Sequence, residues 1–458
     1  MKIPAGQLEN CPIKKRPVKT TKNFARHGFA QRNDPHSFAH PPDHGSFPRA
    51  EPMYRRKTMK HTKLSVVLLA LLLAAMAMVP IVSAADDQRE TSLDAATIIE
   101  SNEVSSGTAL QSATGAMKDF IGRNALDENW NGAAINPEPE IIYDSNGRQL
   151  FYQFSVEKGG KRMGEIKAAA NKVVGGSIVT LGSGAQPVDL VAVEMQARKI
   201  IGQEYKDATV DSIRLVCYNY PQIGASVVFT APDSGKQTMV IDAYDYSIVP
   251  ESDQVSFYNA IPSSDLSGRI DQYNADLDYF LAENDAHASP MSTVTKTISG
   301  FSLYPQQGAN WCAFATAQMI SAYYGYSRTQ SGIASTIGVN PDDGASIELT
   351  RSNYYLIPTA SGGLGKTGTA ISYNGMFTYT NLVNEIALNR PIHTDRYESS
   401  SYHARAITGY SYTTTAPVSQ YLYIYDPWPT SSGAVYWENW DVFSGAPNPV
   451  HAILYVRN

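Results

Sequence analysis

The sequence contains 458 residues, of which 43% are hydrophobic and 17% charged, a composition typical of a globular protein and not of a disordered or fibrous chain. The formal net charge of −6 conceals a division, because residues 1–84 carry 14 Lys and Arg against 4 Asp and Glu, whereas residues 85–458 carry 23 against 39. An acidic body of this size repels phosphate backbones, which argues against nucleic acid as a main partner. Three cysteines are too few for a disulfide-stapled scaffold or a four-thiolate metal site.

A single long apolar run lies near the N-terminal end of the sequence. Residues 64–79, LSVVLLALLLAAMAMV, follow Lys60 and Lys63 and precede a stretch of small residues that ends at Ala84. A basic flank, a short apolar core and a small-residue cleavage site are the parts of a secretory signal peptide. The run is shorter than the roughly 20 residues that span a bilayer. We therefore interpret residues 59–84 as a signal peptide and expect a secreted or cell-surface protein with no stable membrane insertion after cleavage.

Residues 1–58 lie upstream of this segment and have a different character. They are basic, rich in His and Pro, and without hydrophobic periodicity. Because a signal peptide begins within a few residues of its initiator, Met59 is the natural start. We interpret residues 1–58 as an over-extended start, with a disordered tail as the alternative. The first interpretation removes Cys11 from the chemistry and leaves Cys217 and Cys312.

Residues 85–290 contain a mixture of helix and strand patterns. Apolar residues at helical spacing predict helices, and runs of β-branched and aromatic residues bounded by turn residues predict strands. The predicted helices span 92–123, 188–205 and 264–282, and the predicted strands span 140–143, 149–156, 162–168, 210–218, 225–231 and 237–248. The mixture indicates an α+β domain. It carries no motif of a catalytic site, so we interpret it as a prodomain or an accessory domain.

A polar segment separates this domain from the rest of the chain. Residues 283–300 carry Pro290 and Gly300 and lack apolar periodicity, which is typical of a linker. We place the linker at residues 291–300 and a second domain at residues 301–458.

The second domain opens with a cysteine at the start of a helical pattern. Cys312 is followed by apolar residues at helical spacing, Gly325 marks the end of the pattern, and Asn310 is in position to cap the helix. Unpaired N–H groups and the positive end of the helix dipole stabilise a thiolate at this position. A thiolate attacks carbonyl groups, so Cys312 is a candidate nucleophile if a base lies near it.

Two strand patterns downstream supply a base and an acid. His403 precedes an apolar run that ends at Gly409, and residues 421–425 form a second strand that ends at Asp426. We expect the two strands to pair antiparallel, which would bring His403 and Asp426 side by side. A cysteine, a histidine and an orienting carboxylate together indicate acyl transfer through a covalent intermediate.

The order of these motifs resembles the catalytic domain of papain-like cysteine peptidases, most closely the branch that includes the double-glycine (bacteriocin-processing) peptidases. The shared features are Gln306 ahead of Cys312, a helix that ends in Tyr-Tyr-Gly, a His-Ala pair followed by Gly-Tyr, and Asp-Pro-Trp at residues 426–428. The resemblance covers residues 299–430. It implies a papain-like α+β fold in which the nucleophile helix packs on an antiparallel sheet.

The resemblance also implies a role for each site residue. Cys312 would be the nucleophile, His403 the general base and acid, and Asp426 the group that orients the imidazole. Gln306 would donate a side-chain N–H to the oxyanion, with the Cys312 backbone N–H as the second donor. Trp428 would shield the contact between His403 and Asp426 from water.

Three residues depart from the family pattern. Gln307 doubles Gln306, so the register could exchange the two glutamines. Tyr402 stands before His403, where the family often has a small residue, and would narrow the cleft. Arg405, two residues after the base, is also unusual.

The remaining candidate residues have structural interpretations. His451 begins an apolar strand but lacks the following Gly-Tyr and acid, and His393 is expected to begin a strand that pairs with the core. Cys217, in a β-rich run, is interpreted as a buried thiol, with a disulfide to Cys312 as the alternative. Residues 342–344 form a turn, because they lack the spaced ligands of a calcium loop. The sequence predicts no metal site and no cofactor.

Together these interpretations predict a secreted cysteine peptidase that hydrolyses protein or peptide substrates. Residues 85–290 are expected to inhibit the enzyme as a propeptide until the linker is cut, or else to form a permanent accessory domain. Two other classes of function remain open, a Cys-dependent acyltransferase of the transglutaminase type and a non-catalytic cell-surface binding module with the same fold. The sequence does not specify the bonds that are cut or the oligomeric state.

Overall fold

A computed structural model describes residues 95–458 apart from 185, 283–291, 399–400, 416–418, 431 and 446–448. The predicted signal peptide, the segment upstream of it and the first part of the polar segment lie outside the described residues. Among the helices that the structure describes, none is long and apolar enough to cross a bilayer.

The N-terminal region, residues 95–282, is built from hairpins and helices, as the sequence predicts. After a helical segment at 95–101, its helices are α1 (Ser106–Gly122), α2 (Leu190–Glu204) and α3 (Leu266–Ala282). Its strands are β1 (Ala134–Ile135), β2 (Glu140–Asp144), β3 (Gln149–Lys158), β4 (Lys161–Ala169), β5 (Ile178–Gly182), β6 (Thr209–Asn219), β7 (Gln222–Ala231) and β8 (Gly235–Asp242). The turn between β2 and β3 contains Gly147 at a φ of 93°, a backbone conformation that favours glycine.

The C-terminal region, residues 292–458, packs helices against antiparallel strands. Its helices are α4 (Cys312–Tyr323), α5 (Gln330–Ile337), α6 (Ile347–Thr350), α7 (Tyr379–Ala387) and α8 (Trp440–Ser444). Its strands are β9 (Thr293–Thr297), β10 (Ala370–Tyr373), β11 (Ile392–Glu398), β12 (Ser401–Thr413), β13 (Gln420–Asp426), β14 (Ala434–Asn439) and β15 (Val450–Tyr455). The chain therefore has a mixed α+β fold.

One sheet runs through both regions. In the described part of the chain the strand order is β10-β15-β11-β12-β13-β14-β5-β4-β3-β2-β6-β7-β8, and only β2 and β6 pair parallel. The junction is the antiparallel pair β5–β14, in which Gly182 faces Tyr436 and Thr180 faces Glu438. A Cβ atom on Gly182 would lie 2.6 Å from the Val435 carbonyl oxygen, so the close approach of the strands requires glycine there.

The two regions also share a hydrophobic core. Phe120 of α1 contacts Tyr421 and Trp437, with ring centroids 5.1 and 5.7 Å apart. The Trp437 indole, which is completely buried, donates a hydrogen bond to the Ala125 carbonyl at 2.9 Å. Each buried aromatic side chain stabilises the fold by about 1.5–3 kcal/mol. The sequence predicted a separate N-terminal domain, whereas the structure joins the regions through one sheet and one core.

The polar segment before the second region contains a strand. Thr293–Thr297 forms β9 and pairs with β12, with Lys296 opposite Tyr410. The sequence predicted a linker here because apolar periodicity is absent. The β-branched threonines and valine of this segment nevertheless favour an extended strand.

Helix α4 lies across the C-terminal part of the sheet and carries the candidate nucleophile at its first position. Phe314, Ala317 and Ile320 on its apolar face pack in one cluster with Ala406 of β12 and Leu454 of β15. This packing fixes the start of α4 beside the start of β12.

Candidate active site

Cys312 is the first residue of α4 and lies against the strand that carries His403. Its Sγ atom is 3.7 Å from the carbonyl oxygen of Tyr402, the residue immediately before His403. Trp311 occupies the N-cap position and makes no side-chain capping hydrogen bond. The expectation that Asn310 caps the helix is wrong, because its side chain donates to the Asp342 carbonyl instead. The N–H groups of the first turn of α4 therefore have no side-chain acceptor from the cap residue.

His403 and Asp426 are brought together by antiparallel pairing of β12 with β13, as the sequence predicts. His403 Nε2 lies 2.7 Å from Asp426 Oδ1, and both side chains are buried. Burial alone would raise the pKa of Asp426, but the charge and hydrogen bond of His403, with the charge of Arg405, hold it below its usual value. Asp426 is therefore ionised at neutral pH and orients the imidazole through Nε2, so that Nδ1 is the nitrogen on the far side from the carboxylate.

Two further donors fix the Asp426 carboxylate. The Trp428 backbone N–H donates to Oδ1 at 2.9 Å, and the Tyr436 hydroxyl donates to Oδ2 at 2.9 Å. Trp428 and His403 both line the same two cavities, and the Trp428 ring contacts Tyr244 edge to face. The shielding role that the resemblance implies for Trp428 stays a prediction.

Gln306 is buried and lines the same cleft as Cys312 and His403. Its Nε2 donates to the carbonyl oxygens of Gly308 and Ala309 at 2.8 and 2.7 Å, which engages both amide hydrogens in holding the loop before α4. Donation to an oxyanion requires one of these hydrogen bonds to be shared or released. Gln307 is exposed, so burial distinguishes the two glutamines and makes Gln306 the better candidate for the oxyanion donor.

The cleft in front of Cys312 has a volume of about 690 Å³ and is formed by both regions. Tyr402 lines it from β12 and is 42% exposed, which places this unusual residue at the opening. The N-terminal region contributes Asp242, Asp245 and Asp253. The cleft in front of Cys312 therefore lies between the two regions.

Cys217 is a free, buried thiol on β6, which confirms the structural interpretation and excludes a disulfide with Cys312 in this structure. Burial raises the pKa of Cys217 far above its usual value, with a smaller contribution from Asp144. Cys217 is therefore protonated at neutral pH and unsuited to nucleophilic attack.

The two other candidate histidines occupy structural positions. His393 is buried in β11, its Nδ1 lies 2.9 Å from the Tyr355 hydroxyl, and burial lowers its pKa to about 3. His451 lies in β15 and packs against the rings of Tyr373 and Tyr402. Neither histidine lines the cleft that contains Cys312.

Three residues near Asp426 were not assigned a role from the sequence. Tyr436 and Glu438 lie on β14, and Arg405 lies on β12. All three are buried, and Arg405 donates hydrogen bonds to both of the others. Arg405 was noted only as a departure from the family pattern. An arginine two residues after the base, inside an apolar strand, was the available signal, because a buried guanidinium requires a carboxylate partner.

Comparison with known proteins agrees with the geometry of the C-terminal region. Residues 298–446, about a third of the chain, match the family model described as the Peptidase_C39 like family. No curated protein sequence matches the chain. The matched segment contains Cys312, His403 and Asp426. Residues 298–446 are therefore related to the C39 branch of the papain-like cysteine peptidases.

Proposed function

We propose that this protein is a secreted cysteine peptidase in which Cys312, His403 and Asp426 form the catalytic triad. The observation that carries the proposal is the buried hydrogen bond of 2.7 Å between His403 and Asp426, in a cleft that also contains Cys312 at a helix N-terminus. The family match supports peptide-bond hydrolysis as the class of reaction.

In the proposed reaction His403 accepts the Cys312 thiol proton, and the sulfur attacks the peptide carbonyl carbon. The tetrahedral intermediate collapses when the C–N bond breaks, and the leaving amine takes the proton from His403. Water then attacks the thioester while His403 accepts one of its protons. The acid product departs, and Cys312 recovers its proton from His403.

The developing oxyanion needs hydrogen-bond donors. The Cys312 backbone N–H belongs to the first turn of α4, so it has no intrahelical acceptor, and it is the proposed first donor. Gln306 is the proposed second donor, released in part from the Gly308 and Ala309 carbonyls when substrate binds. The helix dipole adds positive potential at the same point.

For the N-terminal region we favour a permanent accessory domain over an inhibitory propeptide. A propeptide must separate from the enzyme, whereas β5 is hydrogen-bonded to β14 inside the sheet and Trp437 is buried against α1. Removing residues 95–282 would expose this shared core to water. The same region also forms part of the cleft.

Export is a part of the proposal that depends on residues 59–84 alone. The apolar run at 64–79, with its basic flank and small residues up to Ala84, supports cleavage near Ala84. N-terminal sequencing of protein recovered from culture medium tests it. A recovered chain that begins upstream of residue 64 would contradict cleavage near Ala84.

Hydrolysis of fluorescein-labelled casein by the full chain tests the central assignment. Cys312→Ala and His403→Ala should abolish turnover. Cys217→Ala is the control and should retain turnover, because the Cys217 thiol does not line the cleft. Retained hydrolysis by Cys312→Ala would end the assignment. Incorporation of a fluorescent primary amine faster than hydrolysis would identify an acyltransferase, and inactivity of the wild-type chain with an unreactive Cys312 would identify a binding module.

A further inference from the structure

A chain of hydrogen bonds leads from Asp426 back to the N-terminal region. The Tyr436 hydroxyl donates to Asp426 at 2.9 Å, and the Tyr436 oxygen accepts from Arg405 Nη1 at 3.0 Å. Arg405 Nη1 also donates to Glu438 Oε2 at 2.9 Å. The last member, Tyr220, follows β6 in the N-terminal region and donates its hydroxyl to Glu438 Oε1 at 2.9 Å.

The members of this chain are buried and balanced in charge. Arg405 and Glu438 are completely buried, and Arg396, also completely buried, lies 3.6 Å from Glu438. With Asp426 the cluster contains two cations and two anions. A buried charge that loses its partner is strongly destabilised, so each ion holds the others in place.

The direction of each hydrogen bond is fixed by chemistry. Arginine is always a donor, so its N–H occupies a lone pair of the Tyr436 oxygen and the single hydroxyl proton of Tyr436 points to Asp426. Asp426 Oδ2 is therefore satisfied, which leaves Oδ1 to accept from His403. The hydrogen bonds of Tyr436 and Arg405 therefore hold the Asp426 carboxylate in the orientation in which Oδ1 faces His403.

We propose that Tyr436 and Arg405 are positioning residues for the His403–Asp426 pair, and that Tyr220 extends their network into the N-terminal region. The proposal rests on the peptidase function proposed above. It gives residues 95–282 a role in catalysis that does not require contact with substrate. It also gives Arg405, a departure from the family pattern, a function in this chain.

Other ionisable groups near Asp426 must be considered in any pH experiment. Glu165, Lys167 and Tyr244 from the N-terminal region line the small cavity of about 80 Å³ that Asp426, His403 and Tyr436 also line. Glu165 is paired with Arg162. These groups are unchanged in the variants described below, so a difference between variants reports on the network.

The test uses three Tyr→Phe variants of the full chain. Tyr436→Phe removes the donor to Asp426, and Tyr220→Phe removes the distal donor to Glu438. Tyr421→Phe is the matched control, because the buried Tyr421 hydroxyl donates to the Ile178 carbonyl at 3.2 Å and so also joins the two regions. The readouts are casein hydrolysis and the rate of Cys312 alkylation by iodoacetamide, each measured against pH, together with Tm.

A hydrogen bond to a charged group is stronger than one between neutral groups, and its loss lowers a rate by about tenfold or more. We expect kcat/KM to fall about tenfold or more for Tyr436→Phe and about threefold for Tyr220→Phe, since its effect passes through Glu438. Tyr436→Phe should also lose reactivity at a higher pH than wild type as the pH is lowered, because Asp426 with one donor fewer is protonated more easily. Tyr220→Phe leaves the donors to Asp426 in place and should shift the profile in the same direction by less, because Glu438 with one donor fewer draws Arg405 away from Tyr436. Tyr421→Phe should lower Tm without moving either pH profile.

Profiles of Tyr436→Phe and Tyr220→Phe that coincide with that of Tyr421→Phe would overturn the positioning role, even if Cys312→Ala is inactive. Hydrolysis by Cys312→Ala would instead overturn the peptidase assignment. If Tyr436→Phe does not fold, Tyr220→Phe decides the question. An unmoved profile in Tyr220→Phe would then contradict the network.

Discussion

Replacing Asp426 by asparagine tests how the carboxylate acts on His403. The substitution preserves the size of the side chain and removes its charge. The introduced amide still offers one oxygen to His403 and the Trp428 N–H, but its NH₂ group faces the Tyr436 hydroxyl, which already accepts from Arg405. The Tyr436 hydroxyl proton then loses its acceptor, because an NH₂ group cannot replace the carboxylate oxygen that accepted it, so the geometry behind His403 is disturbed as well as the charge.

The magnitude follows from the contact distance. At 2.7 Å and an effective dielectric constant of about 20, the attraction between imidazolium and carboxylate is about 6 kcal/mol. Dehydration of the buried pair offsets about 3 kcal/mol, and the neutral amide retains about 1 kcal/mol as a hydrogen-bond acceptor. The remaining loss of about 2 kcal/mol corresponds to a decrease of roughly 30-fold in kcat/KM.

Steady-state hydrolysis at pH 7 measures this decrease. Thermal unfolding across pH gives an independent readout, because the pKa of Asp426 is held below its usual value in the folded protein. The stability contributed by the ionised carboxylate is therefore present above about pH 4 and is lost as the pH falls further. The Tm difference between wild type and Asp426→Asn should close below about pH 4. Activity of Asp426→Asn within threefold of wild type would refute an orienting role for the carboxylate.

Three further outcomes are expected. Cys217→Ala should retain full activity and lose about 1 kcal/mol of stability, since it removes a small buried group away from the cleft; a large loss of turnover would contradict the structural role of this thiol. Gly182→Ala should destabilise the whole chain by about 1–3 kcal/mol, measured by urea denaturation, because the added Cβ meets the Val435 carbonyl at the junction of the two regions. A protease site introduced at residues 283–291 should, after cleavage, yield two pieces that co-elute with unchanged activity; a rise in activity with release of the N-terminal piece would identify a propeptide.

Local patterns predicted much of the secondary structure. Amphipathic spacing identified α2 and α3, and alternating β-branched and aromatic residues identified the hairpins, because these elements depend on residues close in sequence. β5 was missed. Its residues, Ile178–Gly182, are all buried, and a short apolar run between glycines does not reveal which strands lie beside it. The pairing of β5 with β14 joins the two regions into one sheet, so this connection was not predictable from the sequence.

The sequence predicted the candidate catalytic residues but not the buried residues that hold them in place. Cys312 at a helix start, and His403 and Asp426 at strand ends, follow from sequence order together with the resemblance. The side chain of Tyr436 reaches Asp426 only because β14 pairs with β13, and Tyr220 reaches Glu438 only because β5 joins the regions. Contacts of this kind depend on pairing between distant segments, which a single sequence does not specify.

The most direct test of the central claim is labelling of the intact protein with an epoxide-type cysteine-protease probe, followed by mapping of the adduct. We expect one adduct, on Cys312, formed much faster than on a free thiol and abolished by His403→Ala. An adduct on Cys217, or a Cys312 that reacts no faster than free cysteine, would contradict it.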